Sequence, residues 1–259
     1  MKFSIITCTF NSAKYLSKNI ESVCEQSFLN FEHIFIDAFS TDATVDIIKN
    51  YQKKHPDKVR FFQIKPQGIS NAMNEGIKRA CGDYLIHLHS DDSFYGSNVL
   101  EEVKKFLSKN NYDWIYGKIN VVENDGKQVG VFPSRKLFHR NSKDWLGKVM
   151  FNFFNYIPHQ SVFIKKIIFE SFGFFDESLS SGMDPDFWYR IIDKTKWSFF
   201  DLIISNYCIR SDSQSASLKN KEKNKQNILK VRKRYLNSAQ VLVAGFFDWV
   251  VEKKNNNYR

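Results

Sequence analysis

Two adjacent carboxylates, Asp91 and Asp92, directly follow an apolar run and are the residues best suited to do chemistry. The run, Tyr84 to Leu88, is typical of a buried strand. Carboxylates at the end of such a strand are costly unless a positive group neutralises them. Mg²⁺ or Mn²⁺, with a phosphate partner, would do so. The structural alternative is an Asp-Asp N-cap for a helix that begins near Ser97.

The elements that position this pair alternate between apolar runs and helical periodicity. The predicted strands are 3–9, 31–37, 59–64 and 84–88, and the predicted helices are 13–26, one capped by residues 40–42 that runs through Tyr51, and 69–81. This alternation predicts an α/β fold with a parallel sheet and right-handed crossovers. Ligands of such sheets bind at the carboxyl ends of the strands. The loop 7–11, Asp37 and the Asp91/Asp92 pair all fall there.

The second half of the sequence has a different character. Residues 114–131 predict a β-hairpin with its turn at 124–126. We expect 133–155 to be irregular and 205–218 to be mobile. The other predicted elements are a strand at 160–164, a short helix at 164–172, a helix that begins near 184, a strand at 197–204 and a helical tail from 219.

Segments spread along the chain resemble, in order, family 2 glycosyltransferases of the GT-A fold. They are 4–51, 66–92, PHQSVF (158–163), GFFDESL (173–179) and MDPDFWYRI (183–191). The variants are most similar to bacterial enzymes that build surface polysaccharides. The resemblance implies a GT-A, Rossmann-like, mostly parallel sheet flanked by helices, with a small β-hairpin acceptor-side region and a C-terminal helical extension.

The resemblance also implies a nucleotide site. Thr9, Phe10 and Asn11 would pack against the base and ribose, although an ordinary turn capped by Asn11 and Ser12 is the alternative. Asp37 would accept hydrogen bonds from the base or ribose. Many family members carry a second acid after it, where this chain has Ala38. This departure bears on the identity of the base; a UDP-sugar is nevertheless the expected donor, with dTDP and GDP donors as alternatives.

The segment before the acidic pair would extend this site. Gly68 permits close approach of the backbone to a ligand. Asn71 and Asn74 could hold sugar or phosphate oxygens, or they could simply cap and solvate their helix.

The remaining implied roles concern the metal and the acceptor. Asp92 would bind the metal directly, and Asp91 would bind the ribose or a metal-bound water; His89 stands where the family commonly has a further acid. Asp184 would be the general base for the acceptor hydroxyl, or else an N-cap before Pro185.

Other residues are secondary candidates on the acceptor or donor-sugar side. Asp186 is the fallback base, and its spacing predicts an ion pair with Arg190. His159 and Gln160 would contact the acceptor or the pyrophosphate, unless the histidine is structural. Trp188 is either an acceptor platform or a core residue.

The predicted domain is 1–218, with a nucleotide-binding half (1–95) and an acceptor half (96–218), followed by a basic amphipathic tail (219–259). Residues 219–252 are cationic, then apolar, which suits a helix on an anionic membrane surface. The alternative is a helix packed on the domain or on a second subunit. The oligomeric state is open.

The bulk composition agrees with an anionic partner, since the net charge is +10 over 259 residues. Cys8, Cys24, Cys81 and Cys208 have no paired spacing and predict reduced, mostly buried thiols. No signal peptide or membrane-spanning run is visible, so we expect a cytoplasmic protein, peripheral on the inner face of the membrane.

The predicted function is metal-dependent, inverting transfer of a sugar to a glycan hydroxyl. Two other functions are considered as alternatives. A basic nucleic-acid-binding protein would use the charge, but the sequence shows no nucleic-acid motif. A sugar nucleotidyltransferase would need a Gly- and Lys/Arg-rich loop after the first strand, which residues 7–14 do not provide. The acceptor is expected to be a lipid-linked glycan.

Overall fold

The structure is a computed structural model that describes residues 1–123, 126–209 and 218–256, with side chains described except at 218–221 and 249–256. Its strands are β1 (Phe3–Thr9), β2 (Phe31–Asp37), β3 (Val59–Gln63), β4 (Tyr84–His87), β5 (Ser93–Phe94), β6 (Trp114–Glu123), β7 (Gln128–Phe132), β8 (Val162–Lys165) and β9 (Trp197–Ile209). Its α-helices are α1 (Ala13–Cys24), α2 (Thr44–Lys54), α3 (Ile69–Arg79), α4 (Val99–Lys109), α5 (Trp145–Phe151), α6 (Lys166–Phe172), α7 (Met183–Ile191), α8 (Leu218–Tyr235) and α9 (Ser238–Asn256).

The strands form one sheet in the order β3-β2-β1-β4-β8-β6-β9-β5, with β7 paired to β6. The first four strands in this order are parallel, which confirms the predicted α/β layout. β8 runs antiparallel to both β4 and β6. Because all four parallel strands end at one edge, the loops that follow them meet there.

Helices cover both faces of the sheet. α3, α6 and α7 pack on one face around a core that holds Trp114, Trp188 and Trp197. α1 and α4 pack on the other face through Val23 and Val103. This two-sided burial explains why β1 and β2 are continuous buried runs rather than alternating ones.

Several predictions for the second half were wrong. Residues 133–155 are not wholly irregular, because they contain a 3₁₀ turn (Lys136–Phe138) and α5. Residues 205–209 belong to β9, which pairs with β6 and β5. The β6–β7 hairpin is confirmed. Its turn residues 124 and 125, and residues 210–217 of the segment expected to be mobile, lie outside the described residues.

The expected burial of the cysteines was also only partly right. Cys8 is buried, but Cys24 and Cys81 are exposed and Cys208 is half-buried. All four are free thiols, as predicted.

The tail is two helices rather than one. α8 contacts α7, and α9 folds back on α8. The alternative in which the tail packs on the domain therefore applies to α8, whose Val231 is buried. Within the described ranges, no helix has both the length and the apolar character needed to cross a bilayer.

Candidate functional site

A cavity of about 690 Å³ opens at the edge of the sheet where the parallel strands end. Its walls come from the loops after β1, β2, β3 and β4, the start of α3, the start of α7, and α8. The cavity is thus the ligand position expected for an open α/β sheet.

The acidic pair lies in this cavity, at the turn that follows β4. Asp92 is 1% exposed, and its Oδ1 accepts a hydrogen bond from the Cys208 N–H of β9 at 3.2 Å. The Asn19 amide of α1 donates to the carbonyls of His89 and Asp92 at 2.9 and 3.1 Å. The turn is therefore fixed from both sides. The N-cap alternative is wrong, since α4 begins at Val99 and its N-cap is Asn98.

Asp184, at the start of α7, lines the same cavity. It is the second residue of α7 rather than its N-cap, which is Gly182 with φ of +79°. Burial raises the pKa of Asp184 to about 6, although hydrogen bonds to its own backbone N–H and to Asn155 oppose the increase. A carboxylate with this pKa is ionised at neutral pH and still basic enough to accept a proton.

The charged groups around the cavity are all acidic. Among the described lining residues they are Asp91, Asp92 and Asp184, without a lysine or arginine. Burial also lowers the pKa of His89, against the opposing effect of Asp91, and that of His159, so both rings are neutral. Every lysine and arginine side chain that the structure describes thus lies outside the cavity lining.

A diphosphate in such a cavity requires a cation. No group of three or more His, Cys, Asp or Glu side chains within the described ranges could hold a metal alone. Mg²⁺ and Mn²⁺ need fewer protein ligands when phosphate oxygens and waters complete the shell. The two carboxylates therefore fit a divalent metal that arrives with a diphosphate.

Three histidines stack beside the acidic pair. The His159 ring lies 5.2 Å from the His87 ring and 5.8 Å from the His89 ring, centroid to centroid. In the part of the chain that the structure describes, both His159 nitrogens and His87 Nε2 are buried without a hydrogen-bond partner. Buried polar atoms are normally paired. Because His159 lines the cavity, this wall suits a polar ligand group.

Two of the three residues at the end of β1 that were predicted to contact the nucleotide line the cavity. Thr9 and Phe10 line the cavity, and the Phe10 side chain is 61% exposed. Asn11 has a φ of +50° and lies outside the cavity lining. Its Oδ1 accepts a hydrogen bond from the Thr41 N–H at 2.8 Å, so it holds the neighbouring loop.

Asp37 is fully buried and already fully engaged by the protein. Its Oδ1 accepts from the hydroxyls of Thr9 and Ser40, and its Oδ2 accepts from the Ser40 N–H and from Gln63. A carboxylate has about four acceptor positions. Asp37 therefore organises the loop, while the next residue, Ala38, lines the cavity.

The two asparagines of α3 hold a second loop rather than the cavity wall. Asn74 donates to the Phe175 carbonyl at 3.0 Å and accepts from the Phe175 N–H at 3.0 Å. Asn71 and Asn74 both donate to the Glu177 carboxylate. Neither lies in the described cavity lining, whereas Gly68, with φ of +96°, does.

The secondary candidates also divide into residues that line the cavity and residues that do not. Gln160 lines the cavity. Asp186 is buried outside it and pairs with Arg190, as predicted, at 3.3 Å. Trp188 is 1% exposed and stacks on Trp114 at 5.4 Å between centroids, which makes it a core residue.

Other lining residues were not expected from the sequence. Ser180 and Ser181 precede α7, Tyr207 and Cys208 belong to β9, and Asn224 belongs to α8. Short polar residues of this kind carry no motif, and only the long-range packing of α8 and β9 brings them to the cavity.

Known proteins resemble this chain over most of its length. The family described as Glycosyl transferase family 2 matches residues 4–171. A PGL/p-HBAD biosynthesis glycosyltransferase of Mycobacterium tuberculosis is 30% identical over 173 residues, or 66% of this chain and 62% of that protein. A dolichyl N-acetyl-alpha-D-glucosaminyl phosphate 3-beta-D-2,3-diacetamido-2,3-dideoxy-beta-D-glucuronosyltransferase of Methanococcus voltae is 29% identical over 254 residues, covering 94% of this chain and 78% of that one.

Solved structures share the fold. S. aureus TarS, residues 1–349, in complex with UDP-GlcNAc superposes with a TM-score of 0.71 at 21% identity, over 89% of this chain and 65% of that chain. The mannosyltransferase PcManGT from Pyrobaculum calidifontis, in complex with GDP-Man and Mn²⁺, gives a TM-score of 0.68 at 13% identity, over 95% and 69%. The chain thus spans 62% of the length of the mycobacterial relative and 65% of the TarS structure.

Proposed function

The chain belongs to glycosyl transferase family 2, and we propose that it is a metal-dependent inverting glycosyltransferase that moves a sugar from a UDP-sugar to a hydroxyl of a glycan. One observation carries this proposal: Asp91, Asp92 and Asp184, which are far apart in the sequence, line one cavity. The nucleotide-sugar complexes of TarS and PcManGT support it, as does the Mn²⁺ in the latter.

Asp184 acts as the general base. Its carboxylate accepts the proton of the acceptor hydroxyl while that oxygen attacks the anomeric carbon. The new C–O bond forms as the bond to the diphosphate breaks, on the opposite face of the sugar. A single displacement of this kind inverts the anomeric configuration.

The nucleotide is assigned to the part of the cavity lining that includes Phe10, Gly68, Asp91 and Asp92. Phe10 offers an exposed ring on which a base can stack, and Gly68 allows the backbone to approach the ligand closely. Asp92, with Asp91, would hold a divalent cation, which when bound neutralises charge on the departing diphosphate.

Calorimetric titration of UDP with and without Mn²⁺ tests this function. We expect binding that depends on Mn²⁺, because the described cavity lining presents three carboxylates and no lysine or arginine to neutralise the diphosphate. Titrations of dTDP and GDP identify the preferred base, and a panel of UDP-sugars is then screened for UDP release. No binding of any of the three would refute the proposal, and NMR that shows a retained anomeric configuration would refute inversion.

We further propose that the acceptor is a lipid-linked glycan of bacterial surface polysaccharide synthesis, reached at an anionic membrane surface. The name of the Methanococcus relative refers to a dolichyl phosphate-linked sugar. On α9, Leu242 is 75% and Phe246 is 59% exposed, and on α8 Lys223, Lys230 and Lys233 are exposed. Trp249 and the apolar residues after it lie outside the described side chains.

Vesicle co-sedimentation tests this location. The protein is expected to sediment with phosphatidylglycerol vesicles, and the double substitution Leu242→Ser/Phe246→Ser should weaken binding by about 10-fold, since two inserted side chains are lost. Binding that is equal for the variant, or equal to phosphatidylcholine vesicles, would contradict it.

A further inference from the structure

We infer that α8 belongs to the catalytic machinery, with Asn227 as a positioning residue for the loop that carries Asp184. This inference rests on the proposed function, because it assigns Asp184 the role of base. Neither Asp184 nor α8 lies within residues 4–171, the range that matches the family.

One face of α8 holds residues 180–186. The Asn227 amide donates to the hydroxyls of Ser180 and Ser181 at 3.1 and 3.0 Å. The Arg234 guanidinium bonds the Asp186 carboxylate at 2.8 Å. These two residues of α8 are seven positions apart, so they lie two turns apart on the same side of the helix.

Gly182 explains how α8 comes so close. It lies between the two serines and Asp184, in the left-handed region with φ of +79°. A Cβ at this position would lie 3.1 Å from Cδ1 of Ile228. Glycine therefore satisfies both the backbone conformation and the tight contact with the helix.

The other end of this loop is held by α3. The Ser70 hydroxyl donates to the Leu179 carbonyl at 3.1 Å, and Asn74 bonds both backbone groups of Phe175. In the segment between Leu179 and α7, Asn227 supplies a side-chain hydrogen bond to each of Ser180 and Ser181. The two hydrogen bonds of Asn227 thus fix the segment that leads directly into Asp184.

Asn227 reaches this position without being a substrate contact. Asn224, one turn earlier on α8, lines the cavity, whereas Asn227 is not among the described lining residues. Displacement of a catalytic group by about 1 Å can reduce a rate by about 100-fold without a change in nucleotide affinity. Asn227→Ala should therefore affect turnover and leave the nucleotide wall unchanged.

The test compares Asn227→Ala with Gln226→Ala, an exposed neighbour on the same helix. Hydrogen exchange of a peptide that spans 178–187 should be about 5-fold faster in Asn227→Ala and unchanged in Gln226→Ala. For the UDP-sugar that the wild type cleaves fastest, kcat should fall about 10-fold while KM and the affinity for UDP with Mn²⁺ stay within about 2-fold. Unchanged exchange in Asn227→Ala, or equal losses of kcat and UDP affinity, would overturn the inference.

A second variant guards against misfolding of the first. Ser180→Ala/Ser181→Ala removes the same hydrogen bonds from the loop side, and combining it with Asn227→Ala should not accelerate exchange of the 178–187 peptide further. Exchange is the readout because both serines also line the cavity. An additive increase in exchange would show that Asn227 acts elsewhere and would refute the inference. A wild type that binds no nucleotide would refute the proposed function, whereas the exchange measurement would still decide whether α8 holds the loop.

Discussion

Asp184→Asn is expected to lower kcat for sugar transfer by about 10²- to 10⁴-fold, the range that general bases contribute. The amide has nearly the shape of the carboxylate but cannot take a proton from the acceptor. UDP affinity in the presence of Mn²⁺ should stay within about 2-fold, because the proposed metal and nucleotide contacts are Asp91, Asp92, Phe10 and Gly68 rather than Asp184. Steady-state kinetics on the best UDP-sugar, with calorimetry of UDP binding, measure both quantities.

The pH dependence follows from the same carboxyl group. Since burial raises the pKa of Asp184 to about 6, kcat/KM of the wild type should fall as the pH drops through about 6. An acid limb near 4 instead would mean that a different carboxylate is the base.

Ionisation of Asp184 should destabilise the fold, whereas ionisation of most acidic residues stabilises it. The folded protein binds the Asp184 proton more tightly than the unfolded chain does, so this group destabilises the fold as the pH rises from about 4 through about 6. Asp184→Asn should therefore raise the free energy of unfolding at pH 8 by about 1 kcal/mol, discounted for partial exposure of the group. Urea unfolding at pH 8 and at pH 4 measures the difference.

Asp186→Asn is the matched control, two positions further along the same helix. Asp186 accepts hydrogen bonds from Arg234 and Tyr235 and pairs with Arg190, outside the cavity. Its replacement should lower the melting temperature and reduce kcat far less than Asp184→Asn does. The reverse order of losses would assign the base to Asp186.

Asp92→Ala is expected to weaken Mn²⁺-dependent UDP binding by about 100-fold or more. The substitution removes a carboxylate from a cavity whose only described charges are acidic, so a divalent cation bound to a diphosphate loses a charged oxygen ligand. Residual metal-independent binding of UDP should be unchanged or slightly tighter, because less negative charge faces the phosphates. Calorimetry with and without Mn²⁺ distinguishes the two components.

Asp92→Asn separates charge from local structure. The amide oxygen can still accept the hydrogen bond from the Cys208 N–H, so the connection to β9 is preserved. A loss like that of Asp92→Ala would show that the charge is what binds the metal. Wild-type binding by Asp92→Asn would show that Ala acts by releasing β9, and would contradict the metal assignment.

The sequence was sufficient to predict elements and candidate site residues wherever the local pattern and the chemistry of the side chains agree. The bounds of β1 and β2 were predicted to the residue, because both strands are rich in apolar residues and are buried on two faces along their whole length. Asp91 and Asp92 were singled out because carboxylates at the end of a buried strand are costly, and Asp184 because of the family resemblance; the structure brings all three to one cavity.

Roles that depend on distant partners were not accessible in the same way. In the sequence Asn74 resembles a ligand contact, but its hydrogen-bond partner, Phe175, is about a hundred positions away along the chain. The histidine stack joins His87 and His159 across the sheet. The second half of β9 looks polar and mobile until it is paired with β6. Tertiary packing sets such pairings, and the local periodicity of the sequence carries no information about them.

The tail illustrates the same limit. Its many cations predicted a surface helix, whereas the residues that dock α8 on α7 are Asn227, Val231 and Arg234, spaced among those cations. One stripe of the helix is committed to the domain, and the remaining faces carry the exposed lysines.

The docking of α8 bears on how shortened or chimeric versions of this protein should be built. Composition changes at residue 218, which invites a cut there. Such a cut would remove the partners of Ser180, Ser181 and Asp186, and it would open the cavity at Asn224. The smallest piece that preserves these contacts extends to Tyr235, and an exchange of α8 between relatives would replace the part of the cavity lining at Asn224 while β1 to β4 remain as they are.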